Sequence, residues 1–185
     1  MAADALSIDK LQNDVSSSVD EANGEALSLP QLLKFQIIPS TDALLPLAQF
    51  AEVLKVPVNS VIPIPHMPAY VMGVYNWRGT VLWMIDLGLL LGMMPCHKYQ
   101  GARSVHSTLV IERKDEASVL HQVGLVVHDI TDTVQIDPVT ISNVELSNLP
   151  ESLTRFLSGY WMNEQGEMLA VLDDEAIFSH LPTNT

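Results

Sequence analysis

From Leu32 onward, apolar residues come in short blocks, each cut off by proline, glycine or a small polar cluster. Leu33–Ile38 reads as a strand closed by Pro39. Ala43–Leu54 supports two readings: Leu45, Leu47 and Gln49 alternate as in a strand, whereas Leu47, Phe50 and Leu54 share a helical face. Pro57, Pro63, Pro65 and Pro68 then forbid a helix and force extended or turn backbone. Val71–Tyr75 and Thr80–Ile85 are apolar at successive positions, the pattern of strands covered on both faces. Thr108–Glu112, Gln122–Val127 and Thr133–Ile136 continue the series, with the acidic loop "RKDEAS" joining the first two as a hairpin. Pro150 and Glu151 open a short helix through Leu157, ended by Gly159. Met168–Leu172 is a further strand. Asp173 caps a helix from Asp174 to about His180, stopped by Pro182.

Strands this short, with turn signals this frequent, predict a mainly β barrel or sandwich and not a doubly wound sheet. No internal repeat stands out. Order is expected from residue 32 to residue 181, with the mixed polar stretch 95–106 as a link between subdomains or a mobile loop. Residues 1–30 read as a disordered acidic arm: Asp4, Asp9, Asp14, Asp20, Glu21 and Glu25 face Lys10 alone, and a serine run follows at 16–18. Nothing there offsets the entropy of ordering it, although Asp4–Leu11 has the spacing of a short amphipathic helix.

Composition narrows the function. Of 185 residues, 48% are hydrophobic and 17% charged, which is a globular balance. The 22 acidic residues outnumber 9 basic ones, for a formal net charge of -13. Phosphate backbones and anionic membranes are held by clustered Lys and Arg, so neither nucleic acid nor a membrane surface is expected as a partner. Cys96 is the single cysteine, which excludes an intrachain disulfide and fits a reducing compartment. The N-terminus lacks a basic, then apolar, signal segment, and Val81–Met94 is interrupted by Asp86 and short for a membrane span. The expectation is a soluble, cytoplasmic protein.

Enzyme motifs are missing: no nucleophile elbow, phosphate-cradling glycine loop or dinucleotide fingerprint occurs. The histidines at 66, 97, 106, 121, 128 and 180 show no metal-ligand spacing, so no metal, cofactor or catalytic residue is expected. Cys96 beside His97, and His128 beside Asp129, are the remaining pairs of reactive type. Sequence neighbours seldom face each other as nucleophile and base.

The informative stretch is "GVYNWRGTVLWMIDL", Gly73 to Leu87. Asn76, Trp77, Arg78 and Gly79 form a turn between two apolar strands, and Asn and Gly tolerate positive φ. Gly73, inside the first strand, marks a bulge or the close approach of another backbone. Arg78 must find acceptors or reach water, and Glu52 and Asp86 are the candidate acceptors. Two readings follow: a structural arginine–carboxylate bridge, or a hot spot for another protein, where arginine and aromatics sit in apolar ground.

The run "VIPIPHMPAYVMGVYNWRGTVLWMIDL", preceded by "LPLAQFAEVL", resembles the CheW family of chemotaxis coupling proteins. Glu52, Pro68, Gly73, Asn76, Arg78, Gly79, Asp86 and Leu87 all occupy the family's positions, and "HQVGLVVHDITDTVQI" and "FLSGYWMNEQGEMLAVLDDEAIF" fit its later strands, hairpin and helix. The resemblance spans residues 32–181. It implies two intertwined SH3-like five-stranded β-barrel subdomains, a few short helices and an apolar groove. It further implies a non-enzymatic adaptor without a cofactor, coupling the cytoplasmic tip of a chemoreceptor to a CheA-type histidine kinase within receptor arrays, in taxis or pilus-driven motility. Under it, Glu52 and Arg78 are the charged pair beside the receptor groove, Phe50 and Val53 its apolar neighbours, and Gly73, Asn76 and Gly79 the residues that shape the turn. Pro68 and Asp86 are structural. Trp77 and Trp83 replace the usual smaller aliphatics, His128 stands where aspartate is frequent, and the acidic arm is extra; these departures bear on partner preference. A small hydrolase built on histidine and carboxylate, or a β scaffold of another regulatory system, is the alternative.

Overall fold

The computed structural model describes residues 29–100, 104–114, 118–142 and 151–181. Ten strands are described: β1 (Gln31–Ile38), β2 (Thr41–Pro46), β3 (Phe50–Pro57), β4 (Val71–Trp77), β5 (Thr80–Asp86), β6 (Val105–Lys114), β7 (Leu120–Val127), β8 (Asp129–Gln135), β9 (Leu157–Met162) and β10 (Met168–Leu172). They form two five-stranded sheets, ordered β8-β1-β2-β10-β9 and β3-β6-β7-β5-β4. The helices are short: α1 (Leu87–Leu90), α2 (His97–Gln100), α3 (Glu151–Thr154) and α4 (Asp174–Ser179).

Each sheet curls until its outer strands meet. Beyond β3 a 3-10 turn, Val58–Ser60, redirects the chain. Ile62 then exchanges two backbone hydrogen bonds with Val74 of β4, at 2.8 and 2.9 Å. Beyond β8 the turn Pro138–Thr140 does the same, and Ser142 exchanges two bonds with Tyr160 of β9, at 2.8 and 3.0 Å. Closure removes the free sheet edges that invite aggregation.

Alternate residues of a strand face opposite sides, which explains the near-continuous apolar runs. Leu54, Val56, Leu82, Met84, Val110 and Val126 fill the interior of one barrel. Leu32, Leu44, Ile136, Leu169 and Val171 fill the other. The opposite faces meet in the largest cluster, where Leu33, Phe35 and Leu45 of one sheet pack with Phe50, Val53, Ile85, Leu109, Ile111 and Leu125 of the other. Both barrels are therefore welded by a common core.

The ambiguous segment Ala43–Leu54 is strand on either side of a 3-10 turn, Leu47–Gln49, where the chain passes from one barrel to the other. It returns at His128, between β7 and β8. The expected subdomain link at 95–106 is not one. β5 and β6, which flank this stretch, belong to a single barrel, and its described residues include α2 together with the buried Cys96 and His106. The helix expected from Glu151 to Leu157 also stops early: α3 ends at Thr154, and Gly159 lies within β9. Strand pairing with β10 overrides the local helical signal there.

The structure also reveals a repeat that sequence reading missed. One barrel runs β3, 3-10 turn, closing bridge, β4, β5, helix, β6, β7. The other runs β8, 3-10 turn, closing bridge, β9, β10, helix, and takes β1 and β2 from the opposite end of the chain. The two units are circular rearrangements of one plan. Gly73 and Gly159 each precede the bridging residue, and Asp86 and Asp173 each cap the following helix, accepting from the amides of Leu89 and Ala176.

Candidate functional site

The β4–β5 hairpin pairs Trp77 with Thr80, leaving Arg78 and Gly79 as a two-residue turn. Both have positive φ, +53° and +82°, as a type I′ hairpin requires. The Asn76 Oδ1 accepts from the Gly79 amide at 3.0 Å and pins the turn. Asn, Asp or Gly would fill the first turn position with less strain, whereas a left-handed conformation costs an ordinary residue about 1–2 kcal/mol. The arginine at this strained place points to a use for its side chain.

That side chain has two partners. Its Nη2 lies 2.8 Å from the Glu52 Oε2, and its guanidinium carbon stands 5.0 Å over the centre of the Trp77 ring. Glu52 comes from β3, where a bulge between Phe50 and Glu52 resets the register against β6. Glu52 shares its strand face with Leu54 and Val56, so its carboxylate sits at the rim of the barrel interior, with its Oε1 buried and without a hydrogen-bond partner. The pair is lopsided: the Glu52 side chain is 5% exposed and that of Arg78 66%. Glu52 is an anchor, and the cation stands in water with donors to spare.

Of the two candidate acceptors for Arg78, the structure selects Glu52. Asp86 is engaged elsewhere. Its Oδ1 caps α1 at the Leu89 amide, 3.0 Å, and its Oδ2 accepts from the Cys96 amide at 2.7 Å. Gly73 answers to the barrel seam. A Cβ there would lie 2.2 Å from the Ile62 carbonyl oxygen, and its φ is +143°. Ile62, the other half of this seam, was not singled out in the sequence, because a one-residue bridge leaves no periodic signal. Pro68 starts the turn into β4, its carbonyl accepting from the Val71 amide at 2.9 Å.

Phe50 and Val53 do not line the outer surface as expected of groove residues; at 8% and 7% exposure they belong to the core between the barrels. The accessible apolar surface near Arg78 comes from β5 instead. Val81, opposite Asn76 in register, is 54% exposed. Trp83, two residues on and on the same face, packs half-buried against the shared core, and Ile85 is inside it. An apolar strip thus runs from the Arg78 turn to the barrel junction.

The Cys96–His97 pair carries little chemistry. Cys96 is buried, and burial, the charge of Asp86 and a hydrogen bond to it push its thiol up to about 12, far from the thiolate a nucleophile needs. His97 is exposed, on the neighbouring helix. His106 is buried on β6, and burial holds its pKa below the ordinary histidine value, although Asp86 pulls the other way. Among the described residues no cluster of three His, Cys, Asp or Glu side chains is placed to hold a metal ion. No helix among them is long and apolar enough to cross a membrane.

Residues 31–181 match the CheW-like domain family. The chain belongs to the CheW family. Across 62% of this CheW-family chain it is 34% identical to a CheW chemotaxis protein of Rhizobium etli, covering 67% of that protein. Across 63% it is 29% identical to the chemotaxis protein CheW of Rhizobium meliloti, covering 68% of it. The crystal structure of the scaffolding protein TtCheW from Thermoanaerobacter tengcongensis superposes with a TM-score of 0.63 at 20% identity, over 78% of this chain and 89% of that one. The mainly β fold of two five-stranded barrels is the fold of that relative.

Proposed function

We propose that this CheW-family chain is a non-enzymatic adaptor, coupling the cytoplasmic tip of a chemoreceptor to a CheA-type histidine kinase in control of taxis or pilus-driven motility. The observation that carries the reading is the corner at Arg78: a cation fixed by a buried carboxylate and an indole, standing in water beside the strip of Val81 and Trp83. The two Rhizobium relatives are named chemotaxis proteins and the Thermoanaerobacter one a scaffolding protein, in line with it. Glu52 and Arg78 carry receptor contact, Asn76 and Gly79 hold the turn, and Gly73 keeps the hairpin on its barrel. Phe50 and Val53 support the site from beneath.

Such a protein acts through binding free energy alone. A receptor helix laid along the strip covers Val81 and offers an oxygen to the free donors of Arg78. An interface of that size is weak by itself, and an array of many such contacts supplies the strength. Signalling requires receptor states that bind the adaptor–kinase unit with different affinity, since equal affinity shifts nothing.

The test is co-sedimentation of the intact chain with receptor-containing membranes, and pull-down with a CheA-type kinase, for Glu52→Ala and Arg78→Ala. Both variants should keep a folded far-ultraviolet circular dichroism spectrum and lose receptor binding. Wild-type binding of both variants to receptor and kinase would sink the assignment.

A further inference from the structure

We infer that Trp77 is a positioning residue of the Arg78 corner: its indole face sets the plane of the guanidinium and so sets the affinity of the corner for its partner. This rests on the docking reading of the corner and names a residue that works behind it.

The first observation is that the ion pair alone does not fix an orientation. The Arg78 Nη2 meets the Glu52 Oε2 at 2.8 Å, while the Glu52 Oε1 has no hydrogen-bond partner. The pair is therefore held at one point. A forked, two-point pair locks the guanidinium plane, whereas a single bond lets the plane turn about it. The Arg78 side chain is 66% exposed, so general burial does not hold the plane either.

The second observation is the ring. The guanidinium carbon stands 5.0 Å from the centre of the Trp77 ring, inside the about 6 Å over which a ring face attracts a cation. A regular strand would forbid this contact. Consecutive strand residues point to opposite faces, so a strand arginine cannot cover the residue before it. Arg78 leaves the strand at φ +53°, as the first residue of the hairpin turn, and its side chain lies back over its predecessor. The left-handed backbone at this position thus has a consequence: it stacks the cation on the ring.

The third observation is that the ring is itself held. Trp77 is half-buried, packs against the interior cluster of its barrel and closes the hairpin opposite Thr80. The buried Glu52 fixes one edge of the guanidinium and the anchored indole fixes one face. Together they order a side chain that neither would order alone. An arginine ordered before contact has less rotamer freedom to lose on binding. A cation–π contact at an exposed site shifts an equilibrium about two- to fivefold, which is the size of effect expected here.

The experiment compares three variants of the intact chain. Trp77→Leu keeps an apolar side chain against the barrel but has no ring, Trp77→Phe restores a ring, and Arg78→Ala removes the cation. The side-chain NMR signals of Arg78, assigned by their loss in Arg78→Ala, should lie upfield of the usual arginine positions, because a ring face shields protons stacked on it. They should return to the usual positions in Trp77→Leu and stay shifted, by less, in Trp77→Phe. Sedimentation with receptor-containing membranes should weaken about two- to fivefold for Trp77→Leu and recover in Trp77→Phe. Arg78 signals that are unshifted in the wild type, or that stay shifted in Trp77→Leu, overturn the inference. So does wild-type binding by Trp77→Leu while Arg78→Ala binds poorly, and so does Trp77→Phe binding no better than Trp77→Leu. Should Trp77→Leu lose its fold, the wild-type and Trp77→Phe signals and the binding of Trp77→Phe decide. Wild-type binding by Arg78→Ala is a separate failure: it removes the docking reading itself, and the effect of Trp77 on affinity with it.

Discussion

Replacing Gly73 by alanine tests how the barrel that carries the corner is closed. The new Cβ would lie 2.2 Å from the Ile62 carbonyl oxygen, 2.7 Å from its carbon and 2.9 Å from the Pro63 Cα, all backbone atoms. Backbone cannot rotate away as a side-chain tip can, so the seam must open or the strand must shift. Opening it breaks the two Ile62–Val74 hydrogen bonds, each contributing about 0.5–1.5 kcal/mol net. Holding alanine at φ +143° adds about 1–3 kcal/mol. The sum is about 2–6 kcal/mol, a large part of the roughly 5–15 kcal/mol that stabilises a domain. Gly79→Ala is the control: its φ is +82° but nothing stands within 4 Å of the new Cβ, so only the left-handed penalty of about 1–2 kcal/mol applies. Urea unfolding followed by tryptophan fluorescence should place the Gly73→Ala midpoint well below that of Gly79→Ala, and thermal melts should place Gly73→Ala roughly 4–24 °C under wild type at about 2–4 °C per kcal/mol. Equal midpoints for the two variants would refute the reasoning, because backbone strain, of similar size at both positions, would then account for both losses without any contribution from the seam.

Arg78→Ala should cost more stability than an exposed residue normally does, about 1–3 kcal/mol, because it strands the buried Glu52 carboxylate; the double variant with Glu52→Gln should recover part of that loss in urea melts. The Cys96 thiol should react with an aromatic disulfide reagent only after unfolding, and stability should fall as pH rises from its ordinary value of 9.0 towards about 12. There the unfolded thiol ionises while the folded one does not; Cys96→Ala should flatten this slope. His106 works at the acid end. Its folded pKa is depressed by burial, so the unfolded chain binds a proton first and stability is lost as pH falls below the ordinary value of 6.5. An NMR titration of its ring should show a midpoint below the ordinary value of 6.5.

Strands and turn chemistry were legible because each depends on neighbours in the chain. The apolar blocks marked β1, β4, β5, β7 and β10 to within two or three residues, and Asp173 marked its helix. The Asn76–Gly79 turn was legible for the same reason. The Arg78–Glu52 pair was half legible: an arginine between apolar strands needs an acceptor, but composition left Glu52 and Asp86 equal, and the resemblance to a family favoured Glu52. Phe50 and Val53 lie in the shared core, which the sequence could not show, because an apolar residue beside a charged one looks the same whether it faces outward or into a second barrel.

The local order of apolar and polar residues and the turn-forming Asn and Gly by themselves determined a β protein with an arginine corner. Which strands pair, where the chain changes barrel, and that β1 and β2 complete the barrel of β8, β9 and β10 were decided only in three dimensions. The physical reason is that a strand satisfies its backbone and one face through residues far away in sequence. The pattern along the chain states that a partner is needed and cannot state which one.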